Sequence, residues 1–189
     1  MMDESKMIEK LEGLLTPCRF KHSIGVRDTA VGLAKIYGGD AEKARIAGLL
    51  HDCAKDVKKQ QILQQCDNFG IVLDEIEKTE FRLVHGPLGV KFAQCYFGIE
   101  DKEILNAIYY HTVGKENMDI LTKIIYLADF IEPNRDFPGV ENLRKTAQKN
   151  LDKAIVLAID GTILHVLEKG RLIHPSTINA RNYILLNAR

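Results

Sequence analysis

The sequence has no tryptophan, no closely spaced cysteine pair and no excess of either charge. Its four cysteines are scattered without a C-x-x-C pair, which argues against a zinc knuckle and favours reduced thiols over a disulfide framework. Lysine plus arginine equals aspartate plus glutamate at 26 each, so no overall field draws the chain toward nucleic acid or lipid. Any anionic ligand therefore has to be held by a local pocket.

Long hydrophobic runs are also missing. The chain begins without an apolar signal core, and its longest apolar stretches, 120–131 and 154–167, are both interrupted by charge. A membrane span needs about 20 apolar residues, so we expect a cytoplasmic protein without a membrane segment or a nucleic-acid partner. A G-x-x-x-x-G-K-S/T loop is absent too, which argues against an ATP-driven motor.

Most segments repeat their apolar residues with a period near 3.6, which indicates helices with one inward face. Thr16-Pro17 predicts the N-cap and first residue of a helix that reaches Gly38-Gly39, and Asp40 predicts the cap of a helix from 41 to about 54. Further helices are expected at 58–68, 82–97, 101–112, 119–131, 151–169 and 177–188. Pro87 either kinks the 82–97 helix or marks its first turn, with His85 in the preceding loop. These patterns predict one all-α domain over residues 1–189.

Several potential metal ligands fall on the inward faces of their own predicted helices: His22, His51, His111 and Asp129. A lone inward histidine is more often a hydrogen-bonded core residue, but an unpaired buried carboxylate costs several kcal/mol. Most lysines and arginines map to outward faces, so Asp52 and Asp129 are expected to need a cation. Imidazole and carboxylate ligands without thiolate suit iron, manganese, cobalt, nickel or zinc better than calcium or magnesium.

Asp52 follows His51 directly, so on a helix their side chains would point about 100° apart. Both can bind one ion that sits at the rim between their faces, or Asp52 can bridge to a second ion. His85 and His111 are the candidates for that second position, or for contact with a phosphate.

The order of His22, His51-Asp52 and Asp129 resembles the H…HD…D pattern of the HD-domain phosphohydrolase superfamily. The resemblance extends to further residues and runs: Lys55 and Asp56, His85-Gly86, His111-Thr112, 128–135 (ADFIEPNR) and 174–182 (HPSTINARN). Together they are similar to the bacterial HD-type symmetrical diadenosine tetraphosphate hydrolases, from about His22 to Asn182. The two late runs select this subfamily within the superfamily.

This resemblance implies an all-α helical bundle of the HD type, with its motifs in about 18–135 and helices from 150–189 completing a nucleotide pocket. The metal, typically iron, would be held by His22, His51, Asp52 and Asp129. A bound metal lowers the pKa of its water from about 16 to around 7, giving hydroxide at neutral pH. That hydroxide would cut diadenosine tetraphosphate into two ADP.

Contacts to the substrate are expected from His85, His111, Arg135, His174, Thr177 and Arg181. Ser176 or Thr177 would cap the last helix, whose N-terminus can attract an anion, with Arg181 one turn further along. Lys55 would add positive charge beside the catalytic Asp52. Asp56 would orient the water or relay a proton.

Other readings stay open at this point. The scaffold could act on deoxynucleotides or cyclic nucleotides, or could be a nucleotide-sensing module that binds without turnover. The number of metal ions (one, or a second at His85 and His111) and a homodimeric state are also open.

Overall fold

A computed structural model describes residues 2–187 of the chain. This part of the chain is helical and contains no strand, which confirms the predicted all-α class. The helices are α1 (Glu4–Leu14), α2 (Pro17–Tyr37), α3 (Ala41–Leu50), α4 (Lys59–Asn68), α5 (Glu75–Thr79), α6 (His85–Phe97), α7 (Lys102–Tyr110), α8 (Ile120–Ile131), α9 (Val140–Ala147), α10 (Leu151–Glu168) and α11 (Pro175–Asn187). A short 3-10 helix, Phe81–Leu83, precedes α6.

Helix α8 is the centre of the bundle. It packs against α2, α3 and α7 on one side and against α9 and α10 on the other. Its sequence is apolar around most of the helix, and a helix of that kind has to be buried on all sides. Helix α11 lies on α10, and α6 lies on α7. The described helices share one large hydrophobic core, with a small separate cluster around Cys66, Leu73 and Val84.

Many of the helices begin at a short polar side chain that accepts backbone N–H groups of the first turn. These caps are Asp3, Asp40, Asp74, Asp101, Asp119 and Asn150. The predicted cap at Asp40 is therefore confirmed. Thr16 precedes Pro17 as predicted, but its side chain makes no cap hydrogen bond. Instead its N–H and hydroxyl donate to Asp56 Oδ2 at 2.7 and 2.9 Å, which ties the start of α2 to the turn after α3.

Two predicted helices end earlier than expected, and both end at a histidine. Helix α3 stops at Leu50, so His51 lies at its C-cap and Asp52 in the following turn, not inside a helix reaching 54. Helix α7 likewise stops at Tyr110, with His111 at its C-cap. Each ring bonds through Nδ1 to the carbonyl three residues earlier, at 2.8 Å for His51 and 2.7 Å for His111. That contact competes for the carbonyl groups that would extend the helix.

Other boundaries also differ from the prediction. Helices α1, α5 and α9 were not predicted, and each buries at most three apolar residues, which leaves a weak periodic pattern. Pro87 lies in the first turn of α6, but His85 is the first residue of that helix and not part of a loop. The last helix begins at Pro175 instead of 177, and its predicted end at 188 lies outside the described residues. Within residues 2–187, no helix is both long and apolar enough to cross a membrane.

Candidate metal centre

Four histidines and two aspartates meet in the interior of the bundle. Their positions are His22 on α2, His51 and Asp52 after α3, His85 at the start of α6, His111 after α7 and Asp129 on α8. All are buried except Asp129, whose side chain is 18% exposed. The structure thus brings together the four predicted metal ligands and both candidate histidines of a second site.

One end of this cluster, called the first end, consists of His22, His51 and Asp129. His22 Nε2 lies 2.9 Å from Asp129 Oδ1 and 3.2 Å from His51 Nε2. His51 Nε2 lies 3.8 Å from the same Asp129 oxygen. One ligand atom from each of the three residues lies within 4.8 Å of the other two, which is close enough for all three to share an ion.

The opposite end, called the second end, consists of His85 and His111, whose Nε2 atoms are 2.9 Å apart. Asp52 lies between the two ends. Its Oδ2 is 3.4 Å from His51 Nε2 and 3.8 Å from His22 Nε2. Its Oδ1 is 3.2 Å from His85 Nε2 and 3.4 Å from His111 Nε2. One oxygen of Asp52 therefore faces each end. This is the geometry expected for a carboxylate that bridges two positions, which is one of the two arrangements left open by the sequence.

Each histidine is oriented by a partner on its outer nitrogen, Nδ1. These partners are Glu132 Oε1 for His22 at 3.0 Å, and the carbonyls of Gly48 for His51 at 2.8 Å, Arg82 for His85 at 2.6 Å and Ile108 for His111 at 2.7 Å. A carbonyl or carboxylate accepts only, so Nδ1 carries the proton. The lone pair of Nε2 is then left pointing into the cluster, as in metal-binding histidines.

With every Nδ1 protonated, the six side chains of the cluster present only acceptor atoms to one another. Asp52 Oδ1 is buried and has no hydrogen-bond partner among the described residues, although two imidazole nitrogens lie near it. Within each end, the Nε2 lone pairs of its two histidines also point toward each other. Acceptors that face acceptors in a buried site repel unless a proton or a cation lies between them. The donor set therefore fits a divalent cation of the iron, manganese or zinc type, which takes imidazole and carboxylate ligands.

The carboxylates of the cluster stay ionised. Burial raises the pKa of Asp52, but its close contacts with the rings of His51, His111 and His85 outweigh burial, and the pKa falls well below its usual range. Burial also raises the pKa of Asp129, and its close contact with His22 and the charge of Arg135 reverse that shift. Both groups are therefore anionic at neutral pH, as ligands of a cation must be.

Three cationic side chains border the carboxylates. Arg19 donates to Asp52 Oδ2 at 2.8 Å, and Arg135 donates through Nε to the Asp129 carbonyl at 2.7 Å and through Nη2 to the Asp129 carboxylate. Lys55 Nζ lies 3.1 Å from His85 Nε2. All three groups are half-buried and place positive charge beside the carboxylates, where they could also contact an anionic ligand.

Sequence reasoning missed three members of this site: Arg19, Thr112 and Glu132. Arg19 was not named, and Thr112 and Glu132 were noted only within motifs. The hydroxyl of Thr112 lies 3.0 Å from both second-end Nε2 atoms. Glu132 is 1% exposed and orients His22. A signal was present for two of them, because Arg19 lies three residues before His22 and Glu132 three residues after Asp129, on the same helical faces.

Four other predicted site residues have partners elsewhere. Asp56 is exposed and accepts both bonds from Thr16 described above. His174 Nε2 is 2.8 Å from Asp74 Oδ2, and its Nδ1 accepts the N–H of Ser176 at 3.1 Å, so His174 caps the last helix in place of the predicted Ser176 or Thr177. Thr177 is buried. Arg181 donates to Asp160 and so joins α11 to α10. Roles of these side chains toward a proton or a substrate stay predictions.

Comparison with known proteins identifies relatives along the whole chain. The HD domain family model matches residues 19–134. The chain is 38% identical over 100% of both sequences to a protein of Halalkalibacterium halodurans named "Bis(5'-nucleosyl)-tetraphosphatase, symmetrical". It is 35% identical to a Bacillus subtilis protein of the same name, over 97% of this chain and 98% of the relative.

A solved structure is also similar. It is a predicted HD superfamily hydrolase involved in NAD metabolism, from Clostridium acetobutylicum. The two chains are 47% identical, each is covered to 98%, and the TM-score is 0.95.

Proposed function

The chain belongs to the HD-domain family, and from this we propose that it is a metal-dependent hydrolase that cuts dinucleoside tetraphosphates symmetrically into two nucleoside diphosphates. Full-length relatives that bear the name of this activity support the reaction and the substrate class. The single observation that carries the chemistry is the buried Asp52 carboxylate, which has no hydrogen bond on Oδ1 and lies between two groups of inward-facing imidazoles. ADP is the expected product when both nucleosides are adenosine.

We propose iron as the metal, held at the first end by His22, His51, Asp52 and Asp129. Asp52 Oδ1 with His85 and His111 would hold a second ion, or His85 and His111 would lie beside a phosphate. The imidazole and carboxylate donor set supports this choice but is also suited to manganese, cobalt, nickel and zinc. When bound, such a metal supplies Lewis acidity toward a phosphate oxygen and makes water a stronger acid.

The protein's own residues would position and neutralise the phosphate chain. Arg19 and Arg135 each present a planar guanidinium fork suited to phosphate oxygens. Lys55 is largely buried, and this burial lowers its pKa, which makes its ammonium group a stronger proton donor. In the reaction a water oxygen bonds to phosphorus, the bridging P–O bond breaks and the departing diphosphate keeps the electron pair. Lys55 would neutralise charge on that diphosphate.

His85 would act as a neutral group in this reaction. Burial and the neighbouring charge of Lys55 lower the pKa of His85 to about 3. At neutral pH its ring is therefore uncharged, so it offers a lone pair at Nε2 and cannot serve as a general acid. This supports a role as a ligand or as an acceptor for water, not as a proton donor.

We also propose that the enzyme works in the cytoplasm. The four cysteines are all free in the structure, with Cys53 and Cys66 buried and Cys18 and Cys95 exposed. Exposed free thiols are typical of a reducing compartment.

The test is a product assay with the purified protein, diadenosine tetraphosphate and added iron or manganese. ADP as the sole nucleotide product is expected; ATP plus AMP, or no turnover, would contradict the proposal. A panel with NAD, deoxynucleoside triphosphates and cyclic nucleotides separates this substrate from those of other HD enzymes. Bound nucleotide without any product would instead support a sensing module.

Asp52→Ala should lose metal and activity together, whereas the matched exposed-site variant Asp67→Ala should keep both.

A further inference from the structure

The segment 131–135, which ends α8 and forms the turn after it, carries two side chains that contact the first end of the cluster. Glu132 Oε1 lies 3.0 Å from His22 Nδ1 and orients that ring. Arg135 donates through Nε to the Asp129 carbonyl at 2.7 Å and through Nη2 to the Asp129 carboxylate. The backbone of the segment sets the direction of both side chains, so whatever holds this backbone also sets the geometry of the first end.

The backbone of the segment leaves the helical path at Glu132, whose ψ is 153°. The last carbonyl groups of a helix have no partner inside the helix, and they carry the negative end of its dipole. Two bonds within the chain satisfy part of this need: the N–H of Glu132 donates to the Ala128 carbonyl and the N–H of Arg135 to the Glu132 carbonyl, each at 3.0 Å. The carbonyl groups of Ile131 and Arg135 are satisfied from outside the segment, by α9.

Arg144 of α9 supplies the donors. Its Nε donates to the Ile131 carbonyl at 3.0 Å, and its Nη2 donates to the carbonyls of Glu132 at 2.8 Å and Arg135 at 2.9 Å. One planar guanidinium group therefore joins the beginning of the segment to its end. The fixed fork of an arginine can hold three carbonyl groups in this way, whereas the compact ammonium group of a lysine cannot reproduce the fork. The positive charge also lies at the C-terminal end of α8, where it is favourable.

The carboxylate of Glu132 is confined on its other side by α2. Its Oε2 accepts the backbone N–H of Asn134 at 2.7 Å and the side-chain amide of Asn134 at 2.8 Å. A Cβ atom at Gly25 of α2 would lie only 2.4 Å from this oxygen, so the close approach of the carboxylate needs a glycine there. A small displacement of the segment would therefore change the contact between Glu132 and His22.

We propose that Arg144 is a positioning residue, which sets metal affinity through Glu132 and substrate affinity through Arg135. The inference rests on the proposed function, in which Arg135 neutralises the phosphate chain. The hydrogen bonds of Arg144 go to the three carbonyls and to the exposed carboxylate of Glu141, and none of them goes to a side chain of the cluster. Its loss is therefore expected to change metal affinity and KM together, and to change kcat at saturating metal and substrate less.

The experiment compares the wild type with two variants of Arg144 and two controls. Arg144→Met removes every donor, and Arg144→Lys keeps the charge but not the fork. Glu141→Gln removes the ion pair of the same guanidinium group and leaves its three carbonyl bonds. Tyr37→Phe is the control for stability, because the Tyr37 hydroxyl donates to the Ala147 carbonyl at 2.7 Å and so holds α9 at its last residue instead of at the segment.

The first readout is the binding of Mn²⁺ to the full chain after removal of its metal, followed by the EPR signal of the free ion. It tests the route through Glu132 without any substrate. Arg144→Met is expected to weaken Mn²⁺ affinity about tenfold, the low end for a lost partner of a metal ligand. Adding Arg144→Met to Glu132→Gln should weaken Mn²⁺ affinity by less than about twofold more, because the two changes act through the same contact.

The second readout is the KM for diadenosine tetraphosphate at saturating Mn²⁺, which tests the route through Arg135. Arg144→Met should raise this KM about fivefold, less than the loss of a whole hydrogen bond to a charged group would. Arg144→Lys should stay more than about twofold from the wild type in both readouts, because the charge alone does not hold three carbonyls. Both controls should resemble the wild type in both readouts, although Tyr37→Phe should unfold at a lower temperature.

Unchanged Mn²⁺ affinity and KM in Arg144→Met would overturn the positioning role, and so would equal changes in Tyr37→Phe or fully additive losses with Glu132→Gln. A change in only one readout would overturn the route that the other readout tests. If Arg144→Met does not fold, Arg144→Lys carries the same comparison. A wild type that forms no ADP from diadenosine tetraphosphate would overturn the proposed function and the route through Arg135, while Mn²⁺ binding would still decide the route through Glu132.

Discussion

The two ends of the metal centre use the same kinds of side chain but differ in charge. The first end has the Asp129 carboxylate and a histidine, His22, held by the further carboxylate of Glu132. The second end has two imidazoles oriented by backbone carbonyls, with the ammonium group of Lys55 beside them. Asp52 gives one oxygen to each end. The first end therefore holds more carboxylates, which Arg19 and Arg135 partly offset, whereas the second end has only one carboxylate oxygen and the charge of Lys55 beside it.

This difference predicts that the two ends have different roles. A cation is held more tightly where anionic ligands and their supporting carboxylates are concentrated. A phosphate chain is favoured where the ammonium group of Lys55 offsets the single carboxylate. We therefore infer that the first end retains the metal and that the second end mainly faces the substrate. The following variants test that contrast.

The largest effect is expected at the first end from Asp129→Asn. The change removes the anionic ligand that contacts His22, so metal retention and activity should fall together. A metal contributes several kcal/mol to charge stabilisation, which corresponds to a fall of about a thousandfold in kcat/KM. Metal per chain by elemental analysis and steady-state kinetics are the two readouts. Full metal content with wild-type turnover would remove Asp129 from the ligand set.

A smaller loss at the same end is expected from Glu132→Gln. The side chain keeps its shape but no longer supports His22 as an anion, so metal affinity should fall by about 10–100-fold, typical of a lost ligand-orienting partner. Titration with iron or manganese against activity gives the apparent affinity. The turnover number at saturating metal should recover, in contrast to Asp129→Asn. If saturating metal restores nothing, Glu132 acts in some way other than through His22.

The second end should respond differently to Lys55→Met, which removes charge while keeping an unbranched side chain. Metal content should stay at the wild-type level, while kcat/KM falls about tenfold because one charge-assisted phosphate contact is lost. Loss of metal in this variant would show that the two ends are not separate in function. The measurement pairs elemental analysis with kinetics, as for Asp129→Asn.

The smallest effect is expected far from either end, at Asp74. This side chain caps α5 in a reciprocal capping box with Glu77 and contacts His174. Asp74→Ala should lower the free energy of unfolding by about 0.5–2 kcal/mol, as is usual for a lost N-cap, with metal content unchanged. Thermal or denaturant unfolding measures the change. A parallel loss of metal would indicate that α5 and α11 also hold the cluster in shape.

The sequence predicted the long helices well because their apolar periodicity is strong. Helices α2 and α8 carry His22 and Asp129 on inward faces, and both were placed within one or two residues. The positions of His51 and His111 were less accurate, since a ring that bonds a carbonyl of its own helix ends that helix early. Periodicity describes burial and cannot report such a local competition.

The four predicted metal ligands were singled out from the sequence because buried carboxylates and imidazoles need a partner. Arg19 was harder to find, since an arginine on an amphipathic helix usually faces solvent and its bond to Asp52 depends on how α2 meets the turn after α3. The family resemblance implied a pocket completed by helices from 150–189, but not where it lies. The cavity of about 650 Å³ between α8, α9 and α10 depends on how Phe130, Phe137 and Gly161 pack, which periodicity cannot report.

The central claim is that side chains from separate helices share a metal ion between them. Anomalous diffraction at the iron edge, from crystals of the protein loaded with iron, tests it most directly. We expect a peak about 2.0–2.2 Å from His22 Nε2, His51 Nε2 and oxygens of Asp52 and Asp129, the usual distance for such ligands. Fully loaded protein with no peak between these four side chains, or with iron bound only elsewhere, would contradict the account.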